Sequence, residues 1–436
     1  MRERIVVTGM GAITPIGNGV SAYWKNLTGG KSGVDFITRF DTDDLPVKIA
    51  AEVKDFSPVE HMPKKLVREM DPFMQYGYAA AMEALYQAGE DHYPEGGVRP
   101  EAEVSVPHDK KDRIAAPTRM GIVIGTALGG MTPIAETQDG ISRGEHRRVS
   151  PRFVPKIIGN EVAAQIAITC GYTGPSLTVS TACSSGGDAI ATGCMLIASG
   201  QADAVLVVGA ESALNPLFIR GLASAHALST ESEAPKRASR PFDRDRDGFV
   251  IGEGGGAVVI ESMDNAVSRG AKPIAEIAGF ANCTDGYHVT SPHPEGTGAV
   301  FCMEQALKNA GLSTESIGYI NTHGTSTPVG DPIETHAIVS VFGADSEVFV
   351  GSTKGATGHM MGAGGITEVI SCILAIRDSC IPPTLNLDNV DPACYELKYV
   401  KGEAIGRKIT AAMSNSFGFG GQNSCVVVAA VDNDNC

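Results

Sequence analysis

The chain is punctuated by short apolar runs that end in glycine. Ile5–Val7 leads into Thr8-Gly9, Gly121–Ile124 into Gly125-Thr126, and Ala204–Val208 into Gly209-Ala210. Runs this short and this uniformly apolar predict strands buried on both faces, each followed by a tight turn. Between them lie stretches with helical spacing, such as Met74–Leu85 and Ala299–Ala310. Strands alternating with helices predict an α/β protein with mostly buried sheets. One pattern occurs twice, as Leu177-Thr-Val-Ser-Thr-Ala-Cys183-Ser-Ser-Gly-Gly and as Val350-Gly-Ser-Thr-Lys354-Gly-Ala-Thr-Gly-His359. Each reads as a strand, a turn of small residues and an apolar helix. The two copies sit in opposite parts of the chain and predict an internal duplication, with halves 1–262 and 263–436. Residues 88–119 are rich in charge and proline and lack periodicity, which predicts a surface excursion.

Composition narrows the function classes. The 436 residues allow a large core, and 43% hydrophobic with 19% charged residues is ordinary for a globular protein. A net charge of -15 argues against broad nucleic-acid binding, which needs a cationic surface. The ten cysteines include no C-x-x-C pair, so neither a zinc site nor a disulfide framework is expected, and a reducing compartment fits. No apolar run approaches the roughly 18–20 residues that span a bilayer. The N-terminus enters a strand directly and is not a signal peptide.

Candidate chemistry gathers at the repeated turns. Cys183 falls between a strand-like Val179-Ser-Thr-Ala and the helix opened by Ser184-Ser-Gly-Gly. A helix N-terminus there favours thiolate, and its free N–H groups suit an oxyanion. His323 follows a strand within Asn321-Thr-His-Gly-Thr-Ser-Thr-Pro, and His359 is surrounded by glycines, with Glu368 one helical stretch later. Neither Gly125-Thr-Ala-Leu-Gly-Gly nor Gly252-Glu-Gly-Gly-Gly-Ala matches a phosphate loop. Asp243-Arg-Asp-Arg-Asp-Gly248 opens like a calcium loop but has Gly254 where the bidentate Glu belongs, so it is read as an ion-paired structural loop.

Taken together, Thr181-Ala-Cys183-Ser-Ser-Gly, Thr322-His-Gly-Thr-Ser-Thr-Pro, Lys354 to His359 and Asn415-Ser-Phe-Gly-Phe-Gly-Gly421 carry a resemblance. In order and spacing the chain resembles the elongating β-ketoacyl-acyl-carrier-protein synthases, the synthase II class in particular, from Arg4 to about Val428. The resemblance implies the thiolase fold, two similar halves in a five-layer αβαβα sandwich, and a homodimer. It implies an acyltransferase of fatty-acid biosynthesis, in which Cys183 takes an acyl group and condenses it with malonyl-acyl carrier protein. His323 and His359 would donate to the malonyl thioester oxygen. The N–H groups of Cys183 and Phe419 would form the oxyanion hole. Lys354, Glu368 and Asp331 would form the supporting polar network.

The same resemblance implies a gating loop at Phe417 and Phe419, and places Thr325 and Thr327 on the pantetheine arm. Leu128, Phe153 and Leu222 would line the acyl tunnel. Lys65, Arg68, Arg147 and Arg148 would receive the acidic acyl carrier protein. No cofactor is required for the chemistry, but Asn321, Thr322, Glu368, Ser414 and Asn415 match the ligands of a structural monovalent cation. The expected location is cytoplasmic for a bacterial source, and plastid or mitochondrion for a eukaryotic one with its transit peptide removed. Two other readings stay open. Gly330-Asp331-Pro-Ile-Glu334 has the flavour of a stand-alone polyketide ketosynthase. A non-catalytic partner subunit of the same fold is disfavoured by Cys183 with both histidines.

Overall fold

The computed structural model describes residues 3–101, 113–145 and 149–431. Its N-terminal half runs β1 (Ile5–Thr14), α1 (Pro72–Ala88), β2 (Met120–Gly125), α2 (Glu161–Cys170), β3 (Ser176–Val179), α3 (Ser185–Ala198), β4 (Ala204–Glu211) and β5 (Gly254–Ser262). The second half repeats this order: β6 (Ala275–Thr284), α4 (Thr297–Ala310), β7 (Tyr319–Asn321), α5 (Gly330–Phe342), β8 (Phe349–Gly351), α6 (Gly364–Asp378), β9 (Ala411–Gly418) and β10 (Gln422–Ala429).

The sheets repeat as well. The first is ordered β1-β5-β4-β2-β3 and the second β6-β10-β9-β7-β8, with Lys398–Tyr399 added outside β8. In each, the first three strands pair antiparallel and the last three parallel. The two sheets meet along their first strands through Val6 opposite Glu276 and Val7 opposite Ala275. Helix α1 covers β1, β5 and β4 on the outside, and α4 covers β6 and β10. Helix α3 lies between β2 and β4 on one side and β10 on the other, while α6 lies between β9 and β5. These are the five layers of the thiolase fold.

The central layer explains the apolar helices of the sequence. Residues 185–191 of α3 and 364–375 of α6 are buried throughout, as expected for a helix covered on every side. One core cluster joins Ile190, Val258 and Ile260 of the first half to Ile366, Ile370, Val426 and Val428 of the second. The N-termini of α3 and α6 touch through backbone. A Cβ on Gly365 would stand 2.8 Å from Gly187 N, and one on Gly186 would stand 2.9 Å from Gly362 O.

The described ends of the 88–119 stretch are better anchored than the sequence suggests. Ala88 still belongs to α1. Of the described ends, 89–101 and 113–119, the buried carboxylate of Glu90 accepts from Ile114 N (2.7 Å) and Tyr172 Oη (2.7 Å), and Tyr93 is buried. A single buried acid fastens both ends, which the charge-rich composition conceals. Among the described residues, no helix is long and apolar enough to cross a membrane.

The Gly186/Gly365 contact yields a prediction. Gly365→Val should push α3 and α6 apart and cost about 1–3 kcal/mol. A lowered melting temperature, with slower labelling of Cys183 in the folded fraction, is the expected result.

Candidate active site

The site forms where the carboxyl ends of the strands meet the two central helices. Cys183 lies in a single 3-10 turn (Ala182–Ser184) after β3, immediately before α3. Ala182 has a φ of +53°, a left-handed value uncommon outside glycine. It turns the chain sharply enough to lift the sulfur out of the strand line. His359 precedes α6, so the repeated strand-turn-helix units deliver nucleophile and imidazole to one point. The Nε2 of His359 lies 3.1 Å from Cys183 Sγ. Its Nδ1 accepts the Met361 N–H at 3.3 Å. An accepting Nδ1 leaves the ring proton on Nε2, so His359 donates toward the sulfur.

His323 stands edge-to-face on His359, with ring centroids 5.3 Å apart, and tilts over Phe417 at 5.9 Å. Its backbone N–H and that of Gly324 are held by the Glu334 carboxylate at 2.8 and 2.7 Å. Its Nδ1 is buried without a partner. Such an atom costs about 1–3 kcal/mol. Cys183, His323 and His359 offer ligand atoms within 4.8 Å of one another. A metal on His359 Nε2 would need the proton on Nδ1, where the Met361 N–H already points.

These three residues line a cavity of about 610 Å³ with Leu128, Leu222, Thr325, Thr327, Asp331, Phe417 and Phe419. The sequence reading names all of them. Thr325 and Thr327 join hydroxyls at 3.0 Å. Phe417 lies near the end of β9, paired with Asn423, and Phe419 in the turn to β10, where its N–H donates to the Cys183 sulfur. Lys354 and Glu368 stand outside the lining as a buried pair, Nζ to Oε1 2.5 Å.

The remaining expected residues lie as follows. Phe153 opens the short helix Phe153–Ile157 and is not among the residues lining the cavity within one protomer, where Phe218 and Leu222 are. Asp331 touches neither histidine. It accepts from Ser326 N (3.1 Å), Thr327 N (3.3 Å) and Phe242 N (2.8 Å), and so shapes the threonine loop. Lys65 and Arg68 are exposed on the helix Lys64–Glu69, away from the cavity lining, and Arg147 and Arg148 lie outside the described residues. In the cation set, Asn321 and Ser414 are opposite each other on β7 and β9, and Asn321 Oδ1, Ser414 Oγ and Asn415 Oδ1 are buried without partners. Thr322 is buried beside them, its Oγ1 bonded to Gly351 O at 3.0 Å.

The calcium-like loop is an ion-paired structure. Asp243 accepts the N–H groups of Asp245, Asp388 and Asn389, and Arg246 binds Asp391 and the carbonyls of Thr327 and Pro328. Glu334 and Glu211 are supports that the sequence reading did not assign. Glu334 follows Asp331 by one helical turn. Glu211 ends an unbroken apolar strand, where an acid is conspicuous.

Electrostatics corrects the expected thiolate. Burial pushes the Cys183 thiol up to about 11; the Lys354 charge and the Phe419 N–H oppose this, and Glu211 and Glu368 add to it. Desolvation is the largest cause of that rise. Burial, then Lys354, holds both imidazoles well below the usual histidine range, and for His323 the neighbouring His359 adds to the effect. Both rings are therefore neutral at neutral pH. Burial raises Glu334 to about 7 and Asp331 to about 6.

Comparison with known proteins identifies this geometry. The family model described as "Beta-ketoacyl synthase, N-terminal domain" matches residues 2–266, and "Beta-ketoacyl synthase, C-terminal domain" matches 274–388. The chain belongs to the beta-ketoacyl synthase family. It is 43% identical over 431 residues to 3-oxoacyl-[acyl-carrier-protein] synthase 2 of Coxiella burnetii, covering 99% of each chain. It is 41% identical to the Vibrio cholerae protein of the same name, covering 98% of this chain and 99% of that one. Among solved structures, a beta-ketoacyl synthase from Burkholderia phymatum superposes with a TM-score of 0.87 at 31% identity, covering 99% and 100%. A type II PKS ketosynthase, solved in complex with its acyl-carrier protein, gives 0.84 at 30% with the same coverage. Within this beta-ketoacyl synthase, the boundary between the family halves falls between β5 and β6.

The raised thiol predicts a pH profile. With its pKa well above neutrality, the thiolate fraction should grow about tenfold per pH unit. Alkylation of Cys183 by iodoacetamide, followed by intact mass, should keep climbing from pH 7 to 9. A plateau below pH 8 would contradict the assignment.

Proposed function

We propose that this chain catalyses decarboxylative Claisen condensation of malonyl-acyl carrier protein with a Cys183-bound acyl chain, giving 3-oxoacyl-acyl carrier protein in fatty-acid elongation. The observation that carries this reading is the contact of the Cys183 sulfur with the proton-bearing His359 Nε2, beside His323, at the floor of an apolar-walled cavity.

In the first half-reaction the Cys183 sulfur attacks the acyl thioester carbonyl. The carrier thiol departs with the proton that Cys183 gives up, and an acyl-enzyme thioester remains. The Cys183 and Phe419 N–H groups receive the carbonyl oxygen as it gains charge. In the second half-reaction malonyl-carrier protein loses carbon dioxide, and the electron pair of the broken carbon–carbon bond forms an enolate. Neutral His359 and His323 donate to the thioester oxygen where that charge develops. The carbanion attacks the acyl carbonyl, the bond to Cys183 breaks, and the sulfur recovers a proton. A donor must keep its proton without being an acid at working pH, and two imidazoles titrating well below the usual range meet that need. Burial, reinforced by the Lys354 charge, holds them neutral, and Glu368 compensates Lys354.

Three further parts of this reading follow. A monovalent cation fits among Asn321, the Thr322 backbone, Glu368, Ser414 and Asn415, because the unpartnered buried oxygens of Asn321, Ser414 and Asn415 are the hard donors it prefers, with Glu368 shared with Lys354. Bound there, it supplies fixed positive charge and rigidity behind His323. A potassium titration at constant ionic strength should raise the melting temperature. A homodimer suits β3, an exposed sheet edge carrying Leu177, with exposed Val154 and Ile158 on the same half; sedimentation would reveal it. Lys65 and Arg68, exposed and outside any ion pair among the described residues, suit an acidic carrier protein. The polyketide reading is second, since identity to the polyketide ketosynthase is 30% against 43% for the synthase 2 relative.

Two experiments test the central reading. Cys183→Ala should fold yet form no acyl adduct and extend no chain. His359→Ala should still gain the acyl mass but lose condensation by about 100-fold or more. Loss of acylation alone would reverse the assigned roles. Separately, Lys65→Glu with Arg68→Glu should raise KM for carrier-bound substrate and leave a small thioester unaffected; an equal effect on both would exclude docking there.

A further inference from the structure

Glu211 is a buried acid that the condensation scheme leaves without a task. It is the last residue of β4, with no exposed surface. Its Oε2 accepts from Ala127 N at 2.7 Å and Gly362 N at 3.2 Å. Its Oε1 accepts from Leu128 N at 3.2 Å and Thr126 Oγ1 at 3.3 Å. Among the described residues no cation pairs with it. A buried carboxylate without a cation is costly, so its four donors are what retains it.

Those donors belong to two different structures. Thr126, Ala127 and Leu128 leave the end of β2, and Ala127 and Leu128 form cavity wall. Gly362 follows Met361, which lines the same cavity and directs its N–H at His359 Nδ1. Met361 holds a φ of +47°, a strained value that relaxes unless its neighbours fix it. Gly362 is pressed against the same group: a Cβ there would stand 2.8 Å from Ala127 N and 2.9 Å from Glu211 Oε2. A single carboxylate therefore fastens the acyl-chamber wall to the turn that sets the His359 tautomer.

We propose that Glu211 is a positioning residue that couples the wall of the acyl chamber to His359, so that the fit of the bound acyl chain tunes the use of malonyl substrate. This rests on the condensation reading above. Glutamine has the same shape but only one accepting atom, and its NH2 would face backbone N–H groups. With its oxygen at the Oε2 position only the Leu128 N–H loses its acceptor; with its oxygen at Oε1 the Ala127 and Gly362 N–H groups both do, and the wall then separates from the turn. Released, Met361 no longer holds its N–H on Nδ1, and the proton on Nε2 is no longer guaranteed.

The test is Glu211→Gln in the full chain, with both half-reactions measured. Acyl-adduct formation on Cys183, followed by intact mass, should stay within about threefold of the parent. Condensation kcat should fall about 10- to 100-fold, with KM for malonyl-carrier protein unchanged. Equal losses in both steps, or no loss, would overturn the coupling. A parent enzyme that forms no adduct would instead overturn the condensation reading. If Glu211→Gln does not fold, 15N spectra of the histidine-labelled parent decide the matter. The His359 Nδ1 resonance should differ between enzyme loaded with a long acyl chain and enzyme loaded with acetyl. Identical spectra would refute the proposal.

Discussion

Everything in the site depends on the backbone contact between the N-termini of α3 and α6. Gly186 and Gly365 let the two helices approach more closely than any side chain would allow. Cys183 stands just before one helix and His359 just before the other. The 3.1 Å contact between sulfur and imidazole is therefore set by the packing of the central layer, far more than by the loops that carry the two residues. The repeated topology supplies the symmetry that brings equivalent turns together, and the chemistry at those turns then differs.

Dryness is the second governing condition. Desolvation raises the thiol, lowers both imidazoles and raises Glu211 and Glu334 together. The result is a site that rests largely neutral around one buried Lys354–Glu368 pair. Neutral donors, one of them with its tautomer fixed, serve an enolate better than a cation exposed to solvent, because they require little rearrangement as charge develops. The acids that hold backbone N–H groups, Asp331, Glu334 and Glu211, serve the same end. Each fixes a loop that would otherwise move.

Much of this was legible in the sequence, for identifiable reasons. The apolar runs ending in glycine are β1, β2 and β4, and the duplicated strand-turn-helix pattern is β3-α3 and β8-α6. Cys183, His323 and His359 were readable because small residues crowd the turns around them. Glu211, Glu334 and the Met361 N–H were not: Glu211 finds its donors 84 and 151 positions away, and Glu334 and Met361 act through backbone N–H groups that no residue type announces. The anchoring of residues 88–119 was hidden for the same reason: a lone glutamate in a charged stretch looks solvated until Ile114 and Tyr172 close on it. The raised thiol was missed because helix-terminus effects are visible in a sequence and desolvation is not.

The division of the site between the two halves also bears on how the protein is made. Synthesis delivers β1 through β5 first, and with them Cys183. At that stage α3 has only one of its two sheets, and neither His323 nor His359 has emerged. Until the second half closes over the central layer, Cys183 is an ordinary cysteine on an unfinished surface. Its reactive surroundings come into being only with the last strands of the chain, so a truncated product carries the nucleophile without the means to use it.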